Sequence, residues 1–276
     1  MTLHDGDHLP SVSTKGEFGM RLQSKKTLKI RDKILGGPVP LICLPLVATD
    51  QDSLLDQAAE VCSFIPDVIE WRVDKFDTVL DTDAVLAALG ALRECIGNIP
   101  MIFTCRVIHE GGFQEIAAED RLLLNKAVIA SGQIDLIDTE MSNAEAMVAE
   151  MKAACRKAGC PLILSYHNFD ETPDEAFILD RLVTADKLGA DVAKTAVMPK
   201  TYRDVLTLLS ATYTARTEHL DIPIITMAMG EEGGITRIAG GLFGSDLTFA
   251  LGKASSAPGQ IPIADLRKAW SALPFN

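Results

Sequence analysis

A lysine lies inside a short apolar run of the chain. Residues 190–197 read Ala-Asp-Val-Ala-Lys-Thr-Ala-Val, which has the length and composition of a buried strand. Because an unpaired ammonium is costly to bury, the ordinary interpretation is that Lys194 extends to water or pairs with Asp191. The alternative is a desolvated lysine whose uncharged amine attacks a carbonyl and forms a Schiff base.

Groups suited to proton transfer follow two other apolar runs. His167 comes just after one of them, and His109 and Glu110 follow another. A lone histidine is more often a hydrogen-bonded structural residue, but His167 on the strand before that of Lys194 would face it and suit general acid–base catalysis. Glu110 is the stronger candidate of the loop pair, because a carboxylate can orient a catalytic imidazole.

Three arginines also stand near the ends of apolar runs. Arg72 lies between Glu70 and Asp74, Arg106 ends its own run, and Arg237 follows a pair of glycines. Arg72 and Arg106 either pair with neighbouring acids or bind hydroxyl and carboxylate groups, for which the planar guanidinium is suited. Arg237 is either a surface residue or a third member of this group. Together they would favour the uncharged form of the buried lysine and attract an anionic substrate into an acidic protein.

Other polar residues have a structural explanation. Acids near helix N-termini are favourable, and a hydroxyl residue followed three positions later by an acid is typical of a capping box. We therefore expect Asp138 and Glu140 to be structural acids heading a helix rather than catalytic groups. The expected helix starts are Ser142-x-x-Glu145, Thr201-x-x-Asp204 and Thr172-Pro173-Asp174-Glu175.

Apolar runs alternate with helical patterns along the chain. This alternation predicts parallel βαβ units, and eight units at about thirty-residue spacing fit a (β/α)8 TIM barrel of roughly 250 residues. An open doubly wound sheet is the competing architecture, but no glycine-rich nucleotide-binding motif follows the first strand. In a barrel, the polar groups at the run ends would meet on one face. The runs cover 41–47, 67–73, 100–105, 133–138, 161–165, 189–197, 222–229 and, more weakly, 245–251.

Composition restricts the class of protein. The 276 residues are 47% hydrophobic and carry a formal net charge of −12, which gives no support to binding of nucleic acid or anionic membranes. No apolar stretch is long enough to span a bilayer, and the N-terminus lacks the apolar core of a signal peptide. The six cysteines show no metal-ligand spacing, so we expect reduced thiols in a cytoplasmic protein.

The chain divides into a short head and one domain. Residues 1–24 are polar and aperiodic and are expected to form a flexible tail. Residues 25–276 are expected to form a single barrel domain. Its first part, residues 27–40, has two short apolar segments followed by Gly36-Gly37-Pro38, which predicts a hairpin.

The ordered series of motifs resembles a known enzyme family. From about residue 27 onward, the chain is similar to type I 3-dehydroquinate dehydratase, the Schiff-base-forming dehydroquinase of the shikimate pathway. The family fold is a (β/α)8 barrel whose N-terminal hairpin closes the bottom, in agreement with the pattern over residues 27–40. The motifs that carry the resemblance are Glu70-Trp71-Arg72-Val73-Asp74, Phe103-Thr104-Cys105-Arg106, Glu110-Gly111-Gly112, Ser165-Tyr166-His167-Asn168-Phe169, Ala193-Lys194-Thr195-Ala196-Val197-Met198-Pro199, Ile225-Thr226-Met227-Ala228-Met229-Gly230, Thr236-Arg237 and Ala254-Ser255-Ser256-Ala257-Pro258-Gly259-Gln260.

The resemblance implies a lyase that dehydrates 3-dehydroquinate to 3-dehydroshikimate. Lys194 would form an imine with the substrate ketone, His167 would act as general base and acid, and Glu110 would orient His167. No metal or other cofactor is implied, the expected partner is the small-molecule substrate, and a homodimer is expected. The substrate-binding residues would be Glu70, Arg72 and Arg106 at the ring hydroxyls with Trp71 beside them, and Arg237, Ser256 and Gln260 at the carboxylate, the last two in a closing loop over residues 254–260.

Two positions depart from the family pattern. Pro45 stands where some members have a serine that touches the substrate, and Asn168 stands where an aspartate often follows the histidine. Neither departure removes a group that the chemistry requires.

Two other functions fit part of the pattern. A class I aldolase also forms a lysine imine on a barrel, although the arginines with Ser256 and Gln260 fit a carboxylate better than a sugar phosphate. A barrel that binds a small acid without catalysis is the second alternative. The presence of Lys194, His167 and Glu110 together argues against it.

Overall fold

The computed structural model describes residues 21–252 and 255–275. Across these residues there are ten strands and eight α-helices. The strands are β1 (Leu28–Ile30), β2 (Lys33–Leu35), β3 (Leu41–Leu46), β4 (Val68–Arg72), β5 (Met101–Thr104), β6 (Leu136–Glu140), β7 (Leu162–Asn168), β8 (Val192–Val197), β9 (Ile224–Ala228) and β10 (Leu247–Phe249). The helices are α1 (Gln51–Ser63), α2 (Thr82–Ile96), α3 (Ala118–Ser131), α4 (Glu145–Ala158), α5 (Glu175–Leu188), α6 (Tyr202–Thr214), α7 (Gly234–Ala239) and α8 (Ile263–Trp270).

Strands β3 to β10 form a parallel barrel. Each strand from β3 to β8 pairs with the next in sequence, and β10 pairs with β3, so that β9 and β10 lie at the two sides of one seam. The seam between β9 and β10 is joined by the backbone hydrogen bond from Asp246 N to Ile224 O, at 2.7 Å. This closure confirms the predicted (β/α)8 barrel and excludes the open doubly wound sheet, whose edge strands stay apart.

The alternation of side chains along each strand separates two apolar regions. Outward-facing residues such as Trp71 and Phe103 pack against the helices in one large cluster. Inward-facing residues at the amino ends of the strands plug the barrel, and the polar inward-facing residues are left at the carboxyl ends. The plug includes Leu41, Val68, Ile102, Leu136, Ile163, Val192, Ile225 and Leu247.

The hairpin closes the amino end of the barrel. Strands β1 and β2 pair antiparallel, with Lys29 opposite Ile34. Ile30 and Leu35 are buried and belong to the same apolar cluster as the barrel plug. The hairpin predicted over residues 27–40 is therefore confirmed in its place and its role.

The head of the chain is packed further upstream than its composition predicts. Residues 1–20, on which most of the expected flexible tail falls, lie outside the described residues. Arg21 and Ser24 do not fit that expectation, because both are buried and both bond to the carboxylate of Asp246. Polar composition was misleading here, since these side chains pair with a buried acid at the barrel bottom.

Helix starts agree with the sequence patterns in one case of three. Thr201 and Asp204 form the predicted capping box of α6. Helix α5 begins two residues later than expected, with Asp174 as its cap. Ser142 does not cap α4, whose first residue follows Ala144 without a side-chain cap. None of the helices in the described ranges is both long and apolar enough to cross a membrane.

Candidate active site

A cavity opens at the carboxyl ends of the strands. Its volume, including the open mouth, is about 410 Å³. Its wall combines charged side chains with an apolar half formed by methionine and phenylalanine residues. The polar lining residues are Glu70, Arg72, Arg106, Glu110, His167, Lys194, Arg237, Ser256 and Gln260. These nine polar residues come from separate strand ends and loops, and they meet in one site because parallel strands present their carboxyl ends on one face.

Lys194 points into the barrel and not into water. Its side chain is 5% exposed, and Nζ donates to Asp138 Oδ2 at 2.7 Å and lies 3.7 Å from Glu70 Oε1. The alternative pairing with Asp191 is absent, since that carboxylate instead accepts from Leu162 N. Nζ also lies 4.8 Å from the centroid of the Phe249 ring, on the apolar side of the cavity.

The electrostatic surroundings of Lys194 differ from the expectation. We expected arginines to keep its amine uncharged, but its nearest charged neighbours are the carboxylates of Asp138 and Glu70. Two of the three arginines are themselves paired with acids: Arg72 with Asp74 at 2.8 Å, and Arg106 with Glu140 at 2.6 Å. The prediction was wrong because it considered the arginines at the strand ends without the carboxylates that lie between them.

Asp138 is a site residue that the sequence argument assigned to a helix terminus. It lies on β6 opposite Thr104 and faces inward, where it accepts from Lys194, Ser165 and Arg106. Burial alone would raise the pKa of Asp138, but the charges of Arg106 and Lys194 hold that pKa well below its ordinary value. Strand β6 extends to Glu140, two residues beyond the predicted run, so that both acids belong to the strand and neither heads a helix.

His167 and Glu110 form a hydrogen-bonded pair. His167 Nδ1 lies 3.0 Å from Glu110 Oε2, and the backbone N–H of His167 donates to the same oxygen at 2.8 Å. Burial, and then the charges of Arg106 and Lys194, lower the pKa of His167 well below its ordinary value. The imidazole is therefore neutral at neutral pH, and with Nδ1–H donated to Glu110 its Nε2 lone pair is free to take a proton.

Glu110 is held at both carboxylate oxygens. Oε2 accepts from His167, and Oε1 accepts from the hydroxyl of Ser142 at 2.5 Å. Burial raises the pKa of Glu110 to about 7, against the opposing Ser142 hydrogen bond and the charge of Arg106. The sequence pattern placed Ser142 in a capping box and missed this contact, which depends on two loops 32 residues apart meeting in space.

Arg237 is a cation without an anion. Its guanidinium donates to the backbone oxygens of Phe249, Pro258 and Gly259 at 2.8–3.1 Å, and it has no carboxylate partner among the described residues. The residue is 1% exposed, and burial lowers its pKa to about 10. A buried, unneutralised guanidinium at a cavity wall is suited to bind a substrate carboxylate.

Ser256 and Gln260 complete this side of the cavity. Gln260 Nε2 donates to Ser256 Oγ at 3.2 Å, and both side chains line the wall. Gln260 Oε1 is buried and has no hydrogen-bond partner within the described ranges. The loop thus carries polar groups that the protein itself does not fully satisfy, as expected of a ligand-binding segment.

Trp71 is a predicted substrate-binding residue that lies away from the cavity. It is fully buried in the outer cluster, edge-on to Phe76 and Phe103 at 5.6 and 5.5 Å between ring centroids. Since neighbours on a strand face opposite sides, the inward direction of Glu70 and Arg72 turns Trp71 toward the helices. Trp71 therefore does not line the active-site cavity.

The two departures from the family pattern have local explanations. Pro45 is buried on β3 opposite Glu70. Asn168 Oδ1 accepts from the backbone N–H groups of Asp170 and Glu171, both at 2.9 Å, and so forms the turn after β7. Neither residue disturbs the Lys194 side of the cavity.

Comparison with known proteins decides the family. The model of the family described as type I 3-dehydroquinase matches residues 42–274, which is most of the chain. The chain belongs to the type I 3-dehydroquinase family. A 3-dehydroquinate dehydratase of Albidiferax ferrireducens is 47% identical to this dehydroquinase over 247 residues, which cover 89% of this chain and 93% of the relative.

Solved structures agree with the sequence relatives. The crystal structure of 3-dehydroquinate dehydratase from Geobacillus kaustophilus HTA426 has a TM-score of 0.89 and 45% identity, covering 92% of this dehydroquinase and 98% of that chain. A type I enzyme from Clostridium difficile, solved with covalently modified comenic acid, has a TM-score of 0.88 and 37% identity, covering 90% and 98%. The chain is thus an enzyme of the 3-dehydroquinate dehydratase type, and neither an aldolase nor a non-catalytic barrel.

Proposed function

We propose that this dehydroquinase removes water from 3-dehydroquinate to give 3-dehydroshikimate, through an imine on Lys194 with His167 as general base and acid. The observation that carries the proposal is that the Lys194 amine and the His167–Glu110 pair face one cavity, whose wall includes the unneutralised Arg237. The family places the reaction in the shikimate pathway, which leads to chorismate and the aromatic amino acids.

The cavity wall supports one orientation of the substrate. Arg237, Ser256 and Gln260 bind the carboxylate, because together they offer a cation, a hydroxyl and an amide N–H group on one side. Glu70 and Arg72 lie on β4 and bind ring hydroxyls, with Arg106 also lining the cavity. Arg106 also spans Glu140, Ser165 and Asp138, so it fixes the acids around the lysine as well.

The first chemical step is attack of the Lys194 amine on the substrate ketone. The C=O bond is replaced by C=N, and the ketone oxygen leaves as water. The protonated imine is a cation that stands where the ammonium stood, so the carboxylates of Asp138 and Glu70 stabilise it in the same way. The cationic nitrogen then accepts the electron pair released when the neighbouring carbon loses its proton.

His167 performs the proton transfers. Its Nε2 takes the proton from the carbon next to the imine, giving an enamine, and Glu110 stabilises the imidazolium through Nδ1–H. The imidazolium returns the proton to the departing hydroxyl, which leaves as water. Hydrolysis of the product imine then releases 3-dehydroshikimate and restores the lysine amine.

A relative supports the covalent step. The Clostridium difficile enzyme is described with covalently modified comenic acid, so a family member at 37% identity forms a covalent species with a small organic acid. The charges around Lys194 in this chain suit the same kind of chemistry, because they favour a cationic nitrogen at that position.

Chemical trapping tests the proposal. Borohydride reduction in the presence of 3-dehydroquinate, followed by peptide mass spectrometry, is expected to place a ligand-derived mass on Lys194. The control is Lys194→Ala, which is expected to show neither the adduct nor enone absorbance during incubation. Turnover by the wild-type enzyme without any adduct after reduction would overturn the imine mechanism.

The assembly and location of the enzyme remain predictions. All six cysteines are free thiols, in line with the expected cytoplasmic location. We propose a homodimer on the family resemblance alone. Light scattering of the purified protein should give twice the chain mass, and a monomer mass at working concentration would contradict it.

A further inference from the structure

A second groove lies on the outer side of the catalytic pair. Glu110 and His167 line both this groove and the active-site cavity, so the pair forms a partition between the two. The groove is also lined by His109, Ser142 and Asn168. The outer side of Glu110 is therefore reached by side chains that do not face the substrate.

These outer side chains form a continuous line of hydrogen bonds to the catalytic imidazole. His109 Nε2 lies 3.2 Å from Ser142 Oγ, and Ser142 Oγ lies 2.5 Å from Glu110 Oε1. A hydroxyl has one proton to donate, and the Glu110 carboxylate can only accept it. Ser142 therefore donates to Glu110 and accepts from the Nε2–H of His109.

Ser142 has no competing structural task at its helix. Helix α4 begins at Glu145 after Ala144, without a side-chain cap. The residue is exposed, so its position is not explained by packing either. What its hydroxyl does is bond to the one oxygen of Glu110 that His167 does not use.

We propose that Ser142 is a positioning residue of the dehydration, holding the Glu110 carboxylate in the orientation that aligns His167, and that His109 supports Ser142 from the surface. The inference rests on the proposed function, because it matters only if His167 is the base. It assigns a task to two residues that do not touch the substrate cavity.

The electrostatics of the partition explain why this donor matters. The charged groups facing Glu110 are Arg106, Glu140 and the His167 imidazole, with His109 on the outer side. Burial raises the pKa of Glu110, and the Ser142 hydrogen bond opposes that rise. Without the donor, Glu110 is protonated at a higher pH, and a protonated carboxyl no longer accepts from Nδ1–H as it must for Nε2 to act as a base.

The test is the pH dependence of kcat for three variants and a control. Ser142→Ala is expected to lower kcat near pH 7 about tenfold, to change KM less than about threefold, and to move the acidic limb to higher pH by up to about one unit. Ser142→Thr keeps the hydroxyl, and its acidic limb is expected to lie close to the pH of the wild-type limb. His109→Ala should move the acidic limb to higher pH by less than Ser142→Ala does. The control Ser271→Ala, at an exposed serine at the end of α8, should leave the acidic limb at the wild-type pH.

Two results would overturn the inference. One is a pH profile of Ser142→Ala that superposes on that of the wild type. The other is a lower kcat with the acidic limb at the wild-type pH, which would indicate a structural role alone. Borohydride trapping separates this failure from that of the proposed function. If the wild type forms no Lys194 adduct, the proposed function fails; if it does, and the limb does not move in Ser142→Ala, only the role of Ser142 fails.

Discussion

The barrel buries charged side chains at both ends, and the two clusters have opposite characters. At the bottom, the carboxylate of Asp246 accepts from Arg21, Ser24, Arg216 and the backbone N–H of Ile224. This one carboxylate thus accepts hydrogen bonds from the head of the chain, from the segment after α6 and from β9. These contacts tie the last strands of the barrel to its first residues and have an evident structural role.

At the mouth, the charges surround a cavity and their pairing is incomplete. Lys194 sits between two carboxylates at unequal distances, and Arg237 reaches backbone oxygens and the Met227 sulfur but no carboxylate of the described residues. Glu110 shares one oxygen with His167, whose Nε2 has no hydrogen-bond partner among the described residues. The mouth therefore retains bonding capacity that a ligand can use.

The comparison teaches that burial of charge does not by itself mark a site. Both clusters contain arginine, aspartate and a hydroxyl, and burial shifts pKa values in both, raising that of Asp246 as well as that of Glu110. The mouth differs because it holds a cation and a base that can still form ion pairs or hydrogen bonds and that face a cavity. The experiments below separate the two ends by asking which substitutions change the chemistry and which change the stability.

The largest expected effect is at the mouth. His167→Ala removes the base, and we expect kcat to fall by about 10²- to 10⁴-fold, the usual range for loss of general acid–base catalysis. Borohydride trapping on Lys194 should persist, because imine formation does not depend on the imidazole alone. Enone absorbance measures the rate, and full activity of this variant would remove His167 from the mechanism.

The corresponding change at the bottom should affect stability alone. Asp246→Asn leaves Arg21 and Arg216 without their anion, and breaking a buried ion pair typically costs about 3–5 kcal/mol. Denaturant unfolding measures that loss, while kcat/KM per folded molecule should stay within about twofold. The matched control is Asp265→Asn at an exposed position of α8, expected to change stability by less than about 0.5 kcal/mol. A large fall in kcat/KM for Asp246→Asn would break the division between the two ends.

Arg237 tests whether unused capacity is what binds the substrate. Arg237→Gln removes the cation, and loss of a charge-assisted hydrogen bond of about 1.5–3 kcal/mol predicts a 10- to 100-fold fall in kcat/KM. Arg267 is a suitable control because its guanidinium also donates to backbone oxygens, those of Phe64 and Ile65, but on the exposed surface. If Arg267→Gln lowers kcat/KM as much, the effect is not specific to the cavity.

The pH dependence of the wild type follows from Glu110. Its pKa is raised to about 7, so as the pH falls through that value the carboxylate takes up a proton and ceases to accept from His167 Nδ1. The pKa of His167 is lowered, so the imidazole stays neutral over the same range and adds no limb there. We expect kcat to fall on the acid side of about pH 7 and Glu110→Gln to have a lower, flat profile between about pH 6 and 8. An unchanged acid limb in Glu110→Gln would assign it to another group.

The fold was largely predictable because its signals are local. Each of the eight barrel strands coincides with an apolar run, and the capping box at Thr201 is read within four residues. The errors came where a long-range contact decides. The head residues Arg21 and Ser24 are polar because they meet Asp246, more than 220 positions away in sequence.

Most of the predicted site residues line one cavity, but the charges around Lys194 were not predicted. Because the carboxyl ends of parallel strands meet on one face of a barrel, the sequence predicted that His167, Lys194 and the arginines share one cavity, as they do. It did not show that Asp138 and Glu70 flank the amine, because Asp138 was interpreted as a structural acid at the start of a helix. Ser142 was missed for a related reason, since a hydroxyl near a helix start is explained locally before any distant carboxylate is considered.

Trp71 gives the smallest and most discriminating test. It lies at the height of the mouth, between Glu70 and Arg72, yet on the outer side of β4. Trp71→Phe should leave KM within about twofold of the wild type and reduce stability by only about 1 kcal/mol, because the smaller ring leaves a gap but also removes an indole N–H that has no acceptor within the described ranges. Glu70→Gln, one position away and facing inward, should instead change kcat or KM with little loss of stability. Trp71→Phe could instead raise KM as much as Glu70→Gln does. In that case the position of a residue along β4, and not the side of the strand that it faces, would decide which residues affect substrate binding.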